Sequence, residues 1–308
     1  MRALLEQSDD NEITILDNLS TGSRENIAPL LDSPRVRLVR GSITSKELVT
    51  ALVAESDVVY HLAASVGVRH FIDHPVDSLL TNVEGSGHVI RAAGERGVPL
   101  FVASSSEVYG KKAKVPFRED DTLEIGPTNI TRWGYACGKA MDEFFALAYH
   151  REYGMPVRIG RFFNTVGPRQ TGRYGMVIPR FVDQALKGED ITVYGDGEQS
   201  RCFTFVGDAV RLVLKLMDTP EANGEVVNIG GGEEVTIKRL AERIIELTGS
   251  SSRIRYVPYE EAFPTGFEDI RRRVPDTRKL ERLIGMRPTS SLDDILHSII
   301  EDRRALLR

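Results

Sequence analysis

The chain has 308 residues, and its 40 lysine and arginine residues against 45 aspartate and glutamate residues give a formal net charge of −5. Charged residues make up 28% and hydrophobic residues 41% of the sequence, an ordinary globular usage that argues against fibrous and disordered classes. The acidic balance argues against non-specific binding to nucleic acid, because such binding needs clustered positive charge. At roughly 100–200 residues per domain, the length allows one large domain or two modest ones.

The sequence shows neither a membrane span nor a secretion signal. No apolar run approaches the ~18 residues that a membrane helix needs, and residues 1–10 lack the apolar core and cleavage site of a signal peptide. The two cysteines, Cys137 and Cys202, are far apart, which argues against a disulfide framework or a cysteine-based zinc site. These observations predict a soluble, cytoplasmic, core-forming protein that binds neither a membrane nor a metal.

Short apolar runs alternate with helical patterns in the first half of the chain. The predicted strands are residues 12–16, 36–39, 58–62 and 100–103, and the predicted helices are residues 45–55, 75–96 and 133–153. Near-continuous apolar strands between helices are typical of a parallel sheet covered on both faces. The later half is richer in glycine, proline and arginine, and its helical patterns are residues 179–187, 206–217, 236–247 and 291–304. This half predicts a smaller mixed α/β region.

Asp17 and Asn18 follow the first predicted strand. In a dinucleotide-binding βαβ unit, an acidic residue at this point accepts hydrogen bonds from the adenosine ribose hydroxyls, and its charge repels a 2′-phosphate. Asp17 therefore favours NAD over NADP. An aspartate that only begins a turn explains the same residue.

Two further predicted strands end in candidate site residues. His61, Ala63 and Ala64 close the third run, and small residues there let a flat cofactor lie against the backbone, whereas His61 itself is better explained as a hydrogen-bonded core histidine. The Ser-Ser-Ser-Glu segment 104–107 follows the fourth run. Hydroxyls at the carboxyl end of a parallel strand lie where open α/β sheets bind ligands. Serine clusters also cap helices and turns, so both explanations stay open.

Tyr135 and Lys139 have the most informative spacing, because residues four apart on a helix share one face. A lysine ammonium near a phenol favours the phenolate and lowers its pKa from ~10 toward neutrality. Such a tyrosine can take or give a proton during hydride transfer. An amphipathic helix with a surface lysine is the alternative explanation of the same pattern.

The later half supplies polar and cationic candidates. Asn164, Arg201 and Arg273 combine an amide with two guanidinium groups, and guanidinium forks suit the oxygens of a diphosphate. Most arginines of this half, Arg271 and Arg272 among them, are expected on a solvated face.

Taken in order, these motifs resemble the extended short-chain dehydrogenase/reductase superfamily, specifically its nucleotide-sugar epimerases, dehydratases and decarboxylases. The matching segments cover essentially the whole chain and are residues 17–22, 61–64, 82–85, 104–110, 162–168, 193–197 and 228–230, with the pair Tyr135 and Lys139. The resemblance implies a Rossmann-like doubly wound parallel sheet over residues 1–165 that binds NAD. It also implies a smaller α/β subdomain over residues 166–308 that binds a UDP-sugar, with a segment around 200–220 returning to the first domain.

The resemblance also implies a role for each site residue. Tyr135 looks like the catalytic acid/base, Lys139 its pKa-lowering partner and ribose ligand, and Ser105 the hydroxyl that hydrogen-bonds sugar O4. The implied cofactor contacts are Asp17, Asn18, His61, Ala63, Ala64, Asn82, Tyr135 and Lys139. The implied substrate contacts are Ser106, Asn164, Val177, Tyr194, Arg201, Arg273 and Asp276.

The pair Ser106-Glu107 bears on the branch of the family. Dehydratases have an Asp-Glu pair at this place, and simple epimerases commonly have no carboxylate there. The pair and Arg273 resemble the UDP-glucuronate decarboxylases, in which the glutamate and the arginine flank the sugar carboxylate. The resemblance therefore implies oxidation at C4, loss of carbon dioxide from a β-keto acid, and return of the hydride, with Glu107 and Arg273 in catalytic roles.

Two alternatives stay open. A UDP-sugar 4-epimerase, acting on UDP-glucose or UDP-glucuronate, shares the oxidation at C4 but returns the hydride to the other face. A non-catalytic homologue is the second, because the family's Gly-x-x-Gly-x-x-Gly loop, which cradles the cofactor diphosphate, does not precede Asp17. The motif register predicts that the chain is short by about 20 residues at its front and lacks the first strand of the sheet.

Family members usually dimerise through two long helices per subunit, which form a four-helix bundle. The matching segments here are residues 75–96 and 133–153, so the resemblance implies a homodimer. The apolar residues that could form its seam are Val89, Ile90, Phe144, Phe145 and Leu147. Packing within one subunit explains them equally.

Overall fold

The computed structural model describes residues 1–172, 176–262 and 268–306. The strands are β1 (Ile13–Asp17), β2 (Val36–Arg40), β3 (Val59–His61), β4 (Leu100–Ser105), β5 (Val157–Phe162), β6 (Thr165–Val166), β7 (Ile191–Tyr194), β8 (Ser200–Cys202), β9 (Thr204–Phe205), β10 (Glu225–Ile229), β11 (Glu234–Thr236), β12 (Ile254–Val257) and β13 (Arg272–Arg273). The helices are α1 (Arg2–Gln7), α2 (Ala28–Leu31), α3 (Lys46–Ala54), α4 (Val68–Asp73), α5 (Pro75–Leu79), α6 (Ser86–Arg96), α7 (Arg132–Tyr153), α8 (Val177–Lys187), α9 (Val206–Met217), α10 (Ile237–Thr248), α11 (Tyr259–Ala262), α12 (Arg278–Ile284) and α13 (Leu292–Leu306). A π-helical segment, Leu80–Gly85, joins α5 to α6.

Parallel strands form the main sheet, in the order β10, β5, β4, β3. Strands β1 and β2 form a separate parallel pair, with Ile13 opposite Val36. Within the described ranges no ladder joins β1 to β3, so β1 and β2 lie outside the main sheet. The parallel α/β architecture predicted from the sequence is confirmed.

Helices cover both faces of the main sheet. Alternate residues of a strand point to opposite faces, so each strand contributes apolar side chains to both layers. Leu100 and Val102 of β4 pack with Ile90 of α6 in one buried cluster. Phe101, between them, packs on the other face with Leu212 of α9. Full burial of such a side chain contributes roughly 1.5–3 kcal/mol, so these clusters hold the strand ends in place.

Elements from the later half of the chain also pack on the main sheet. Helix α9 packs on β5 and β10, and β10 itself extends the main sheet beside β5. Helix α12 also joins this face, where Leu280 is fully buried.

The second region has its own sheets and its own core. Strands β7 and β12 pair in parallel, and β11, β8 and β13 form a three-stranded sheet. Helices α8 and α10 pack against β7, and α13 packs on both helices. The core of this region contains Phe181, Ile191, Leu240 and Leu296, all of them fully buried. None of the helices in the described ranges combines the length and apolarity needed to cross a bilayer.

Candidate active site

The carboxyl ends of β3, β4 and β5 meet at one edge of the main sheet, because the three strands are parallel neighbours. Ala63 and Ala64 follow β3, and Asn164 follows β5. Strand β4 ends at Ser105, whose hydroxyl accepts the backbone N–H of Glu107 at 3.2 Å and starts a 3₁₀ turn. The fold therefore gathers the predicted site residues of three strands at one place.

Tyr135 lies in the first turn of α7, and its phenol is hydrogen-bonded to the Ser105 hydroxyl. Its ring and that of Phe71 form a T-shaped pair with a centroid distance of 6.1 Å. Burial raises the pKa of Tyr135 to about 12, although the hydrogen bond with Ser105 lowers it. The sequence-based expectation that this pKa falls toward neutrality is wrong for this structure, because burial outweighs the groups that favour the phenolate.

Lys139 is buried one turn further along α7, as the four-residue spacing predicts. Its ammonium Nζ donates to Oδ2 of Asp142 at 3.1 Å, and the two side chains are only 3% and 1% exposed. A carboxylate that the sequence reasoning did not single out therefore neutralises the lysine expected to act on Tyr135.

Glu107 is held between two arginines. Nη2 of Arg132 lies 2.8 Å from Oε2 of Glu107, and Nη1 of Arg273 donates to Oε1. Burial alone raises the pKa of Glu107, but Arg132 and Arg273 outweigh it and bring this pKa down to about 2. Glu107 is thus an ionised carboxylate at neutral pH.

Arg273 connects this pair to the loop after β5. Its Nη2 donates to Oδ1 of Asn164 at 2.8 Å, and its Nη1 lies 3.5 Å from the Ser106 hydroxyl. Its Nε is buried and has no hydrogen-bond partner among the described residues. Burial lowers the pKa of Arg273 to about 10, while Glu107 raises it. The predicted group Ser105, Ser106, Glu107, Asn164, Tyr135 and Arg273 is thus joined by hydrogen bonds.

Arg201 reaches the same cluster through a second acid. Its Nη2 donates to Oδ1 of Asp269 at 2.8 Å, and Nη1 of Arg132 lies 3.5 Å from the same oxygen. Three buried or nearly buried arginines therefore share two carboxylates.

The sequence reasoning missed Arg132, Asp142 and Asp269. Arg132 lies three residues before Tyr135, and Asp142 three residues after Lys139, so helical spacing alone places both beside known candidates. Asp269 has no such signal, because only the tertiary fold brings its loop to Arg201.

The residues predicted to contact the cofactor have well-defined local partners. Oδ1 of Asp17 accepts the backbone N–H of Leu19 at 2.7 Å, and Oδ1 of Asn18 accepts that of Ser20 at 3.0 Å. The other carboxylate oxygen of Asp17, Oδ2, lies beside Gly22.

Asn82 and His61 fix the backbone around them. The Asn82 amide binds both the N–H and the carbonyl of Ser65, at 2.7 and 3.0 Å, which pins the loop after β3. His61 Nε2 lies 2.9 Å from the Ser86 hydroxyl, and burial, with Lys139 nearby, lowers the pKa of His61 to about 3. His61 is thus the neutral, hydrogen-bonded core histidine that the sequence favours.

Three predicted substrate contacts have no described contact with this cluster. Asp276 binds Arg278 and not the group around Tyr135. Tyr194 ends β7, where the Arg180 guanidinium lies 4.2 Å from its ring centroid. Val177 begins α8 and packs against the core of the second region.

The arginines expected on the surface are there. Arg271 and Arg272 are exposed and bind Asp196 and Glu234, at 2.9 and 2.7 Å respectively. Neither belongs to the cluster around Glu107.

Known proteins are similar to this chain over nearly all of its length. The chain is 41% identical over 290 residues to UDP-N-acetyl-alpha-D-glucosaminuronate decarboxylase of Bacillus cytotoxicus, covering 94% of this chain and 89% of the relative. It is 35% identical to UDP-glucuronic acid decarboxylase 3 of Arabidopsis thaliana, covering 98% of this chain and 84% of the relative.

A solved structure shares the fold over the whole length. UDP-glucose 4-epimerase of Thermotoga maritima, crystallised with UDP-glucose, superposes with a TM-score of 0.88 at 28% identity, covering 100% of this chain and 94% of the other. The family model described as the NAD dependent epimerase/dehydratase family matches residues 1–230. On the fold, the site and these matches, the chain belongs to the NAD dependent epimerase/dehydratase family.

Proposed function

We propose that this protein oxidises C4 of a UDP-linked uronic acid, UDP-glucuronate above all, removes its carboxylate as carbon dioxide, and reduces the resulting ketone. The observation that carries the proposal is Arg273, whose guanidinium lies between Glu107 and Asn164 while its buried Nε has no partner among the described residues. Such an N–H is a strong donor for a carboxylate oxygen. The decarboxylases among the relatives support this choice.

The residues present fit NAD at its two ribose positions. Asp17 ends a parallel strand with one carboxylate oxygen beside Gly22, where dinucleotide-binding folds hold the adenosine ribose. Tyr135 and Lys139 lie at the carboxyl edge of the sheet, where the nicotinamide ribose would bind. Residues 1–16 contain no glycine, so no diphosphate cradle is assigned before Asp17. When bound, NAD supplies the acceptor for the C4 hydride and later returns it.

Tyr135 and Ser105 handle the proton at the oxidised centre. As the C4–H bond breaks, the ionised form of Tyr135 takes the O4 proton and Ser105 holds O4 through its hydroxyl. The ketone at C4 makes the C6 carboxylate a β-keto acid, so the C5–C6 bond can break with its electrons moving onto O4. Tyr135 and Ser105 stabilise that enolate oxygen, which is the expected main contribution to the rate. Water supplies the proton at C5, and as C4 is reduced Tyr135 returns its proton to O4, which gives a UDP-pentose.

Arg273 and Glu107 act on the carboxylate side of the sugar. Arg273 positions the C6 carboxylate before it is lost, and Glu107 orients Arg273 through their ion pair. Because the pKa of Glu107 is about 2, it accepts hydrogen bonds from a sugar hydroxyl or from water and does not donate a proton at neutral pH.

Incubation with NAD⁺ and three substrates tests the proposal: UDP-glucuronate, UDP-N-acetylglucosaminuronate and UDP-glucose, with product identification by NMR. We expect decarboxylation of at least one uronic acid, no change in UDP-glucose, and no product with Tyr135→Phe. Inversion at C4 of UDP-glucose would instead show a 4-epimerase. Failure to bind NAD⁺ by calorimetry, together with no turnover, would indicate the non-catalytic homologue.

The assembly and domain roles belong to the same proposal. We propose a homodimer formed through α5, the π-helical segment and α7, because Val76, Leu80 and Phe144 there are 67%, 41% and 61% exposed. Val89 and Ile90, by contrast, are buried in the subunit core and cannot form a seam.

The second region, within residues 166–308, is proposed to bind the nucleotide sugar. A cytoplasmic location stays a prediction from the sequence.

A further inference from the structure

The catalytic face of α7 carries a third polar residue. Tyr135, Lys139 and Asp142 are four and then three residues apart, so all three lie on one side of the helix. Asp142 binds the Lys139 ammonium at 3.1 Å, and both side chains are almost completely buried. A solvent-exposed lysine could change partners freely, whereas this one is held in a pair.

The surroundings of Asp142 contain few other charges. Glu143, its neighbour on α7, is turned to Arg161 on β5, whose Nη2 lies 2.7 Å from Oε2 of Glu143. His61 on β3 faces the same interior and is neutral, since burial lowers its pKa to about 3. The other neighbour is the Ser86 hydroxyl of α6. Among the described residues, Lys139 is therefore the cation that acts on Asp142.

We propose that Asp142 is a positioning residue that sets the proton affinity of Tyr135 by neutralising Lys139. A lone buried ammonium four residues away favours the phenolate, whereas a lysine–aspartate pair has no net charge and loses most of that effect. The proposal rests on the proposed acid/base role of Tyr135 and adds the group that tunes it.

The charge balance supports this assignment in two ways. The Asp142 carboxylate itself acts to raise the pKa of Tyr135, in the same direction as burial. Burial raises the pKa of Asp142 to about 6, although Lys139 lowers it. Asp142 is thus ionised above about pH 6, and protonating it at lower pH leaves the Lys139 charge unopposed.

Tyrosine ionisation measured without any substrate tests the proposal. The protein is labelled with [¹³Cζ]tyrosine, and the resonance that disappears in Tyr135→Phe identifies this residue. Its chemical shift is followed against pH in the unaltered protein and in Asp142→Asn, with circular dichroism confirming the fold at each pH. We expect the Asp142→Asn midpoint to lie about one pH unit lower, because removing a nearby negative charge favours the phenolate.

Two further variants test whether a change in the Tyr135 midpoint is due to the charge of Asp142. Asp142→Glu keeps the charge and should restore the midpoint of the unaltered protein. Glu152→Gln removes a carboxylate from the exposed far end of the same helix and should leave the midpoint unchanged. If Asp142→Asn does not fold, Asp142→Ser is read in the same way. An unchanged midpoint in a folded Asp142→Asn or Asp142→Ser protein overturns the proposal.

Turnover gives a second reading that separates this inference from the proposed function. With a uronic acid substrate, the rising limb of kcat/KM against pH should move to lower pH in Asp142→Asn by about the same amount. A shifted Tyr135 resonance in a protein that turns over no UDP-sugar would leave the charge relation intact and contradict the proposed reaction alone.

Discussion

Buried ion pairs decide the protonation state of the site at the scale of single residues. Glu107 is ionised between Arg132 and Arg273, and the charge of Lys139 is neutralised by Asp142. Motif spacing alone suggests instead a glutamate beside the sugar and an unpaired lysine beside the tyrosine. Removing one member of such a pair leaves an uncompensated charge, which costs far more than the pair itself contributes.

Arg132→Met is expected to destabilise the protein by about 3 kcal/mol, because it leaves Glu107 with one arginine and removes a guanidinium that is 5% exposed. The free energy of unfolding is measured by urea denaturation. Arg271→Met is the matched control, since its pair with Asp196 is exposed and is expected to contribute less than about 1 kcal/mol. Equal losses of unfolding free energy in both variants would show that the buried ion pairs of Glu107 contribute no more than an exposed pair.

His61 predicts a loss of stability in weak acid. Its pKa in the folded protein is about 3, below the unfolded value of about 6.5, so its contribution is present above pH 6.5 and is lost as the pH falls toward 3. Between about pH 6.5 and pH 5 this amounts to about 2 kcal/mol.

Urea denaturation at the two pH values checks this loss. His61→Gln should lose less stability between the two pH values than the unaltered protein, and His297→Gln, at an exposed position, should behave like the unaltered protein. The same pH dependence in all three proteins would rule out His61 as the cause.

The residue types at the site were predictable, but their partners were not. Spacing identified Tyr135 and a strand end identified Ser105, whereas Glu107 and Arg273 were implied by the family resemblance. The direction of the Tyr135 pKa was predicted wrongly, since spacing places Lys139 on the right face without showing what else binds it. Only tertiary structure reveals that competition.

At the scale of elements, hydrophobic periodicity located the strands and helices closely. Helix 206–217 has the predicted bounds, and the strand predicted at 100–103 continues through Ser105, because hydroxyl side chains do not stop the ladder. The helix predicted over 75–96 contains the π-helical segment Leu80–Gly85. Apolar spacing carries no signal for that local change of pitch, which accompanies the fully buried Asn82 clamp on Ser65.

Helices α6 and α7 approach each other closely at Gly94. A Cβ there would lie 2.2 Å from the ring of Tyr149, so Gly94→Ala should destabilise the protein by about 1–3 kcal/mol. Gly87→Ala on the same helix meets open space and should stabilise it by up to about 1 kcal/mol. Thermal unfolding of both variants checks this, and a stabilising Gly94→Ala would contradict the observed helix packing.

At the scale of the whole molecule, the exposed apolar residues of α5, the π-helical segment and α7 are consistent with a subunit interface. Monomeric proteins rarely leave such a surface open. Phe144→Glu is expected to convert a dimer to a monomer in sedimentation velocity, because it places a charge in the proposed seam. Tyr256→Glu, at an exposed aromatic residue of the second region, should remain dimeric. A monomeric unaltered protein would contradict the assembly.

The central claim is that the protein removes the C6 carboxylate of a UDP-linked uronic acid. The parallel sheet, the residues at its carboxyl edge and the decarboxylases among the relatives support it. The most direct test follows that carbon: the protein is incubated with NAD⁺ and UDP-glucuronate labelled with ¹³C at C6, and the label is followed by NMR. The account predicts that the ¹³C appears as carbon dioxide and bicarbonate while an unlabelled UDP-pentose accumulates. A label that stays in a hexuronate with inverted C4 would contradict it.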